Sequence, residues 1–229
     1  MLDSSVENTN EAAVKLNVDF QFPAPVYTVE IPKFLPAVRK LSDKLLADKK
    51  RAVGVDKNHP MLMTDNFFGE ESVASFTQFV GQTAWNLLSE QGYAMDNMDV
   101  VFDEMWVQQH YKHSLMEQHT HRFGSQIVGF YFLDVPTPTP QAKFYDPRLA
   151  AMQGSLREKD PEKLTIASSV ITYNPKPGLM IFTNSWLAHS FSKNLSTKPF
   201  SFVHFNLTAE PSPVQPIMPA PAAGAVEVI

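Results

Sequence analysis

Four of the seven histidines fall within one short segment, residues 109–122. Two of them, His119 and His121, are two positions apart, and side chains at this spacing point to the same face of an extended chain. Imidazole is a good ligand for Fe, Zn, Cu and Ni, and the chain contains no cysteine that would compete for that role. A third ligand must come from elsewhere, and His189 in the segment FTNSWLAHSFSKN is the best candidate. The pattern predicts a metal site built from these three histidines.

A single histidine in a β-rich protein is more often a hydrogen-bonded core or surface residue than a metal ligand. We expect that ordinary role for the other four histidines, which are His59, His110, His113 and His204. On the last predicted strand, His204 shares one face with Phe202 and Asn206. His204 could therefore line the cavity around a metal without binding it.

Composition bounds the class of protein. The chain has 229 residues, of which 44% are hydrophobic and 19% charged, so it can bury a substantial core. A net charge of -5 argues against a nucleic-acid-binding surface, and the absence of cysteine excludes disulfides, Fe–S clusters and thiol nucleophiles. No apolar run reaches the roughly 20 residues that span a bilayer. The first residues lack the basic and apolar regions of a signal peptide, so we expect a cytoplasmic protein.

Two segments with apolar residues at helical spacing precede a region of many short strands. The helices are predicted over Lys33–Lys50 and Gly69–Gln91. Strands separated by Pro- and Gly-rich turns are predicted at Val100–Tyr111, Gln126–Val135, Ala142–Tyr145, Leu164–Tyr173, Leu179–Phe182 and Phe200–Thr208. This pattern is typical of an antiparallel sandwich or barrel. We expect a flexible N-terminus at 1–17, a single domain over 18–210 and a Pro-rich tail at 211–229.

Several motifs in a fixed order resemble a family of 2-oxoglutarate/Fe(II)-dependent oxygenases from bacteria and phages. They are HTH at 119–121, GFYFLDVP at 129–136, FYDPR at 144–148, GLMIFTNSWLAHSFSKN at 178–194 and FVHFN at 202–206. Trp106 and the segment FPAPVYTVEIP also fit the pattern of that family. The likeness extends over about residues 20–208.

The resemblance implies a mainly β fold with flanking N-terminal helices, the double-stranded β-helix or jelly roll that cupins share. It also implies one Fe(II) held by three side chains, with 2-oxoglutarate as cosubstrate. In such enzymes, oxidative decarboxylation of 2-oxoglutarate is coupled to the oxidation of an unactivated C–H bond. We therefore predict a dioxygenase that hydroxylates a peptide, an amino acid or a small metabolite, and we expect no nucleic-acid or membrane partner.

The chain departs from the usual metal ligands of 2-oxoglutarate-dependent enzymes at one position, although the family that it resembles tends to carry H-x-H. The usual set has two histidines and one carboxylate, whereas His121 stands at the carboxylate position. Three neutral imidazoles leave the site one negative charge short, which should weaken Fe(II) binding. We favour His119, His121 and His189 as ligands, with Asp146 or Glu117 as alternative sources of a carboxylate.

A second departure concerns the cation that binds the distal carboxylate of 2-oxoglutarate in these enzymes. Phe200 stands at the position of the family's arginine, and Lys198, nine residues after His189, is the nearest replacement. A solvated turn lysine is its other interpretation. Tyr111 lies eight residues before His119, where related enzymes often place a tyrosine that hydrogen-bonds 2-oxoglutarate. A core aromatic residue is the other interpretation of Tyr111.

Two other functions are compatible with these departures. The first is a cupin-like metalloprotein with a three-histidine metal that does not use 2-oxoglutarate. Cupins commonly add a glutamate a few residues after H-x-H, and the stretch Arg122–Gln126 contains none. The second is a non-enzymatic accessory protein that kept the fold and lost the chemistry.

Overall fold

The computed structural model describes residues 22–121, 124–148 and 156–213. The predicted flexible N-terminus and residues 214–229 of the predicted tail lie outside this part of the chain. Its helices are α1 (Leu35–Val53) and α2 (Ala74–Glu90), each preceded by one turn of 3-10 helix. Its strands are β1 (Val26–Glu30), β2 (Met61–Met63), β3 (Met98–His110), β4 (Met116–His119), β5 (Ile127–Asp134), β6 (Ala142–Tyr145), β7 (Val170–Tyr173), β8 (Leu179–Asn184), β9 (His189–Phe191) and β10 (Phe200–Pro211).

The ten strands form two antiparallel sheets that face each other. The larger sheet has the order β1-β8-β5-β10-β3-β2, and the smaller sheet has the order β4-β9-β6-β7. An aromatic cluster that includes Phe130, Phe202, Phe144 and Phe191 draws its members from both sheets and fills the space between them. This arrangement is a jelly roll with flanking helices, which confirms the predicted fold class.

The two helices cover the outer face of the larger sheet. Because side chains alternate along a strand, Val203, Phe205 and Leu207 of β10 point to the helices, while Phe200 and Phe202 point to the smaller sheet. We call the side that faces the smaller sheet the inner face. In the part of the chain that the structure describes, neither helix is long and apolar enough to cross a membrane.

The strands that differ most from the prediction are short. The sequence pattern did not identify β4 or β9, which have four and three residues. The predicted strand Leu164–Tyr173 was too long, because only Val170–Tyr173 pairs with β6. Its first residues form a turn instead, in which the Thr165 N–H donates to Ser168 Oγ at 3.0 Å.

Gly129 occupies a position in β5 where no side chain fits. A Cβ atom there would meet the ring of Phe205 and would lie 2.5 Å from the carbonyl oxygen of Ile181. We expect Gly129→Ala to lower the free energy of unfolding by about 1–3 kcal/mol, because the neighbouring ring or strand must shift. Urea unfolding measures this change. Gly69→Ala, which meets nothing within 4 Å, is the matched control, and equal stability of the two variants would contradict the prediction.

Candidate metal centre

His119 and His189 are brought together by strand pairing. The two residues are directly opposed across the β4–β9 pair, and directly opposed residues project to the same face of a sheet. His121 follows β4, and its backbone N–H donates to the Ser185 carbonyl oxygen at 2.9 Å. That hydrogen bond ties the segment after β4 to the turn that precedes β9. The pairing thus joins stretches of chain that are distant in sequence.

The three imidazoles have the spacing of a ligand set. One ligand nitrogen from each of His119, His121 and His189 lies within 4.8 Å of the other two. The ring centroids are 4.6–5.2 Å apart. Among the described residues, this is the one group of histidine and acidic side chains arranged in this way.

Backbone carbonyls fix the orientation of two of these rings. His119 Nδ1 donates to the Glu117 oxygen at 2.8 Å, and His189 Nδ1 donates to the Leu187 oxygen at 2.9 Å. A carbonyl oxygen only accepts, so Nδ1 carries the proton and Nε2 keeps its lone pair. Nε2 of His121 and of His189 is buried and has no partner in the described part of the chain. Neutral imidazoles with unpaired Nε2 atoms fit a transition metal ion.

Burial keeps His121 and His189 uncharged. It lowers the pKa of His189 to about 3 and that of His121 to about 4, and the neighbouring histidines contribute to the lowering of both. The side chain of Asn206 acts in the opposite direction on the pKa of His121. Asn206 Nδ2 also donates to the Glu104 carboxylate at 3.2 Å. At neutral pH the lone pairs of His121 and His189 are therefore free for a metal, and no ligand contributes a negative charge.

Neither alternative carboxylate joins the three histidines. Asp146 is engaged by Arg148, whose Nε lies 2.9 Å from one carboxylate oxygen and whose Nη2 lies 2.6 Å from the other. Its hydrogen bonds with Arg148 lower the pKa of Asp146. The side chain of Glu117 is exposed, and its backbone carbonyl is the group that contacts His119.

Aromatic side chains surround the histidines on the inner face. The ring of Phe130 lies 5.2 Å from that of His189, and the ring of Phe144 lies 6.1 Å from it. His204, for which the sequence indicated a structural role, lies 5.0 Å from His121 between centroids. Its neighbour Trp106 is 4.3 Å away, directly opposed to it across β3 and β10. The strand periodicity had indicated that His204 could line this cavity.

The two residues predicted to bind 2-oxoglutarate follow β3 and precede β10, respectively. Tyr111 packs against the helix-side core, and Lys50 Nζ lies 5.6 Å from the centre of its ring. Lys198 is exposed in the turn before β10, where its backbone N–H donates to Ser196 Oγ at 3.2 Å. The role of Lys198 stays a prediction, as does that of Tyr111, whose placement does not favour it.

The inner face offers no cation of its own. No lysine or arginine is buried within residues 22–121, 124–148 and 156–213. Phe200, at the position of the family's arginine, is 1% exposed, and its ring packs against Phe132 and Phe191. Of the described residues, only neutral groups, or a metal held by the histidines, are therefore placed to bind an anion between the sheets.

A cavity of about 460 Å³ is lined in part by Phe144 and Leu187, both of which contact His189. Phe144 and Leu187 form its wall toward His189, and the Asp146–Arg148 ion pair lies in its lining. The remaining lining is mainly apolar and comes from Phe22, Val26, Leu164, Ile166 and Ile171 among others. Its volume is that of a small-molecule pocket.

Residues 104–206, which carry all three histidines, match the family model described as "Putative 2OG-Fe(II) oxygenase". The matched segment runs from β3 to β10. The chain carries a 2-oxoglutarate/Fe(II) oxygenase domain. The resemblance seen in the motifs is thereby confirmed, and Fe(II) and 2-oxoglutarate are the cofactors of this oxygenase. A search of the curated proteins found no significant sequence match.

Solved structures similar to the oxygenase share its fold. A prolyl-4-hydroxylase from Pseudomonas putida aligns with a TM-score of 0.54 at 11% identity, over 81% of this chain and 92% of that one. HygX from Streptomyces hygroscopicus, with nickel and 2-oxoglutarate bound, gives 0.53 at 11% identity, over 81% and 83%. The viral collagen prolyl hydroxylase of Paramecium Bursaria Chlorella virus-1, a 2-oxoglutarate complex, gives 0.51 at 10% identity, over 80% and 94%.

Proposed function

We propose that the oxygenase binds Fe(II) through His119, His121 and His189 and hydroxylates a C–H bond of a peptide, an amino acid or a small metabolite. One observation supports this assignment above the others. Three imidazoles, two from residues 119–121 and one from His189 in a distant segment, have their ligand nitrogens within 4.8 Å of one another inside a jelly roll. The match to the oxygenase family over residues 104–206 supplies the reaction class.

Each part of the site has a separate task in this proposal. The histidines hold the metal through Nε2, and the Glu117 and Leu187 carbonyls keep the rings of His119 and His189 in that orientation. When bound, Fe(II) and 2-oxoglutarate would supply, with dioxygen, the hydroxylation of a C–H bond: one oxygen atom of O2 would enter the hydroxyl group and the other would enter succinate as 2-oxoglutarate loses carbon dioxide. The rings of Phe130 and Phe144 keep water away from the reacting groups.

The cavity beside His189 supports a substrate with an apolar part. Its lining residues Phe144 and Leu187 also contact His189, so a group bound there has the residues around a proposed metal ligand as its wall. Two similar structures are prolyl hydroxylases, which makes a prolyl residue of a peptide one candidate for the hydroxylated group.

Anaerobic titration tests the proposal. Fe(II) is added to the metal-free protein, followed by 2-oxoglutarate, and the weak visible charge-transfer band of the ternary complex is recorded. We expect the band only with both additions, and succinate formation after oxygen is admitted. Metal binding that is indifferent to 2-oxoglutarate would instead support the cupin-like metalloprotein, and failure to bind a stoichiometric metal would support the accessory protein.

Lys198 remains the predicted partner of the distal carboxylate, and its replacement is expected to weaken 2-oxoglutarate binding. In Lys198→Ala we expect the half-saturating 2-oxoglutarate concentration to rise about tenfold, the loss typical of a charge-assisted hydrogen bond, with metal affinity nearly unchanged. The same titration measures it. Lys193→Ala, which removes another exposed lysine from the loop between β9 and β10, is the matched control. An unchanged titration in Lys198→Ala would remove Lys198 from the site.

A further inference from the structure

An unusual group of unpaired polar atoms lies beside the three histidines. Nine buried side-chain nitrogen or oxygen atoms in the described part of the chain have no hydrogen-bond partner. Four of the nine belong to three neighbouring residues: Trp106 Nε1, both ring nitrogens of His204, and Asn206 Oδ1. Unpaired buried polar atoms are rare because each costs about 1–3 kcal/mol, so their concentration here indicates a missing partner.

These atoms belong to one continuous surface. Trp106 and His204 are directly opposed across β3 and β10, with ring centroids 4.3 Å apart. Asn206 follows His204 on the same face of β10. The His204 ring lies 5.0 Å from that of His121, so the group adjoins the proposed metal ligands. His204 and Trp106 are 1% and 9% exposed, so bulk water does not satisfy their nitrogens.

Two of the four atoms, Trp106 Nε1 and one ring nitrogen of His204, are donors that fit a carboxylate, whereas Asn206 Oδ1 and the other His204 nitrogen are acceptors. The indole N–H of Trp106 only donates, and a neutral imidazole has one N–H to donate. Glu104, the nearest acidic residue in this register, is exposed and already accepts from Asn206 Nδ2 at 3.2 Å. Solvent therefore screens its charge from a ligand at Trp106 and His204.

We propose that Trp106 and His204 form a binding site for a carboxylate of 2-oxoglutarate, in which one N–H group of each donates to it. This inference rests on the proposed function, because the metal must lie beside His121. Among the described residues, the inner face has no buried lysine or arginine that could bind 2-oxoglutarate. Trp106 and His204 would bind the cosubstrate there instead. Phe200 and Phe202 fill the start of β10, so the carboxylate is bound further along the same strand.

Nuclear magnetic resonance of the full chain tests this contact directly. The protein is labelled with ¹⁵N-tryptophan and loaded with Zn(II), which is diamagnetic and does not support turnover. It contains three tryptophans. Trp85 Nε1 already donates to the Met98 oxygen at 3.0 Å, so its resonance is the internal control. On saturation with 2-oxoglutarate, we expect the indole proton of Trp106 to move downfield and that of Trp85 to stay in place.

Two substitutions complete the test. Trp106→Phe and His204→Phe each keep an aromatic ring and remove the N–H donor. We expect each to weaken 2-oxoglutarate binding to the zinc protein by about tenfold or more, with Zn(II) affinity unchanged. If His204→Phe does not fold, the Trp106 resonance and Trp106→Phe still decide the matter.

The outcomes separate this inference from the proposed function. If Zn(II) does not bind at all, the proposed metal site is wrong. If Zn(II) and 2-oxoglutarate bind but the Trp106 resonance does not move, or if Trp106→Phe binds 2-oxoglutarate like the parent, the carboxylate site is wrong while the metal site stands. Lys198→Ala is expected to leave the saturated Trp106 shift intact, since Lys198 is exposed in the turn before β10.

Discussion

His189→Ala is expected to abolish metal binding. His189 is the most deeply buried of the three proposed ligands, and its Nε2 has no partner among the described residues. Loss of a residue that only orients a ligand typically weakens metal affinity about 10- to 100-fold, so loss of a ligand should exceed about 100-fold. Metal content after anaerobic Fe(II) loading and buffer exchange measures the effect. We expect one metal per chain in the parent and almost none in the variant.

Two controls make this result specific. His59→Ala removes an exposed histidine and should leave the metal content unchanged. His189→Gln replaces the imidazole with a side chain closer to it in size, which distinguishes loss of the ligand from the cavity that alanine would leave. Full metal content in folded His189→Ala would show that this histidine is not a ligand.

Acidification is expected to destabilise the metal-free protein steeply below about pH 6.5. Burial lowers the pKa of His110 to about 4 and that of His189 to about 3, from 6.5. Between these values and 6.5 the unfolded chain binds protons that the folded chain does not, so stability falls as the pH falls. Each such histidine contributes a slope of about 1.4 kcal/mol per pH unit. Above about pH 6.5 both histidines are neutral in the folded and in the unfolded chain, so they no longer make the stability depend on pH.

Urea unfolding of the chelator-treated protein at several pH values between about 7 and about 4.5 measures this slope. His110→Gln removes one of the buried imidazoles and keeps a hydrogen-bonding side chain near Ser114, whose Oγ lies 2.7 Å from His110 Nδ1. We expect the slope of this variant to be shallower by about 1.4 kcal/mol per pH unit. The same slope in parent and variant would contradict the assignment of His110 as a buried neutral histidine.

The parts of the fold that the sequence predicted are those with a strong local signal. The alternation and apolar runs of β3, β5 and β10 and the helical spacing of α1 and α2 were sufficient to locate these elements. The strands β4 and β9 have no such signal, because they contain only four and three residues and owe their conformation to pairing with each other and, for β9, also with β6. Long-range pairing of this kind cannot be inferred from local periodicity.

For the candidate site, the sequence predicted which histidines belong together but not how the strands bring them together. The i, i+2 spacing pointed to His119 and His121, and motif order pointed to His189, but their registration across β4 and β9 needed the structure. Trp106 entered the sequence argument only as part of a family pattern. Its relation to His204 depends on the β3–β10 register, which no spacing within either strand reveals.

The absence of buried lysine and arginine in the described part of the chain bears on which ligands the loaded site tolerates. Fe(II) carries two positive charges, fully ionised 2-oxoglutarate carries two negative charges, and the three imidazoles carry none. Metal and diacid therefore cancel each other inside an enclosure where a net charge is costly. A monocarboxylate would leave one positive charge uncompensated and a tricarboxylate one negative charge. For the charges of the described inner face alone, to which exposed Lys198 does not belong, we expect electroneutrality to favour dianions.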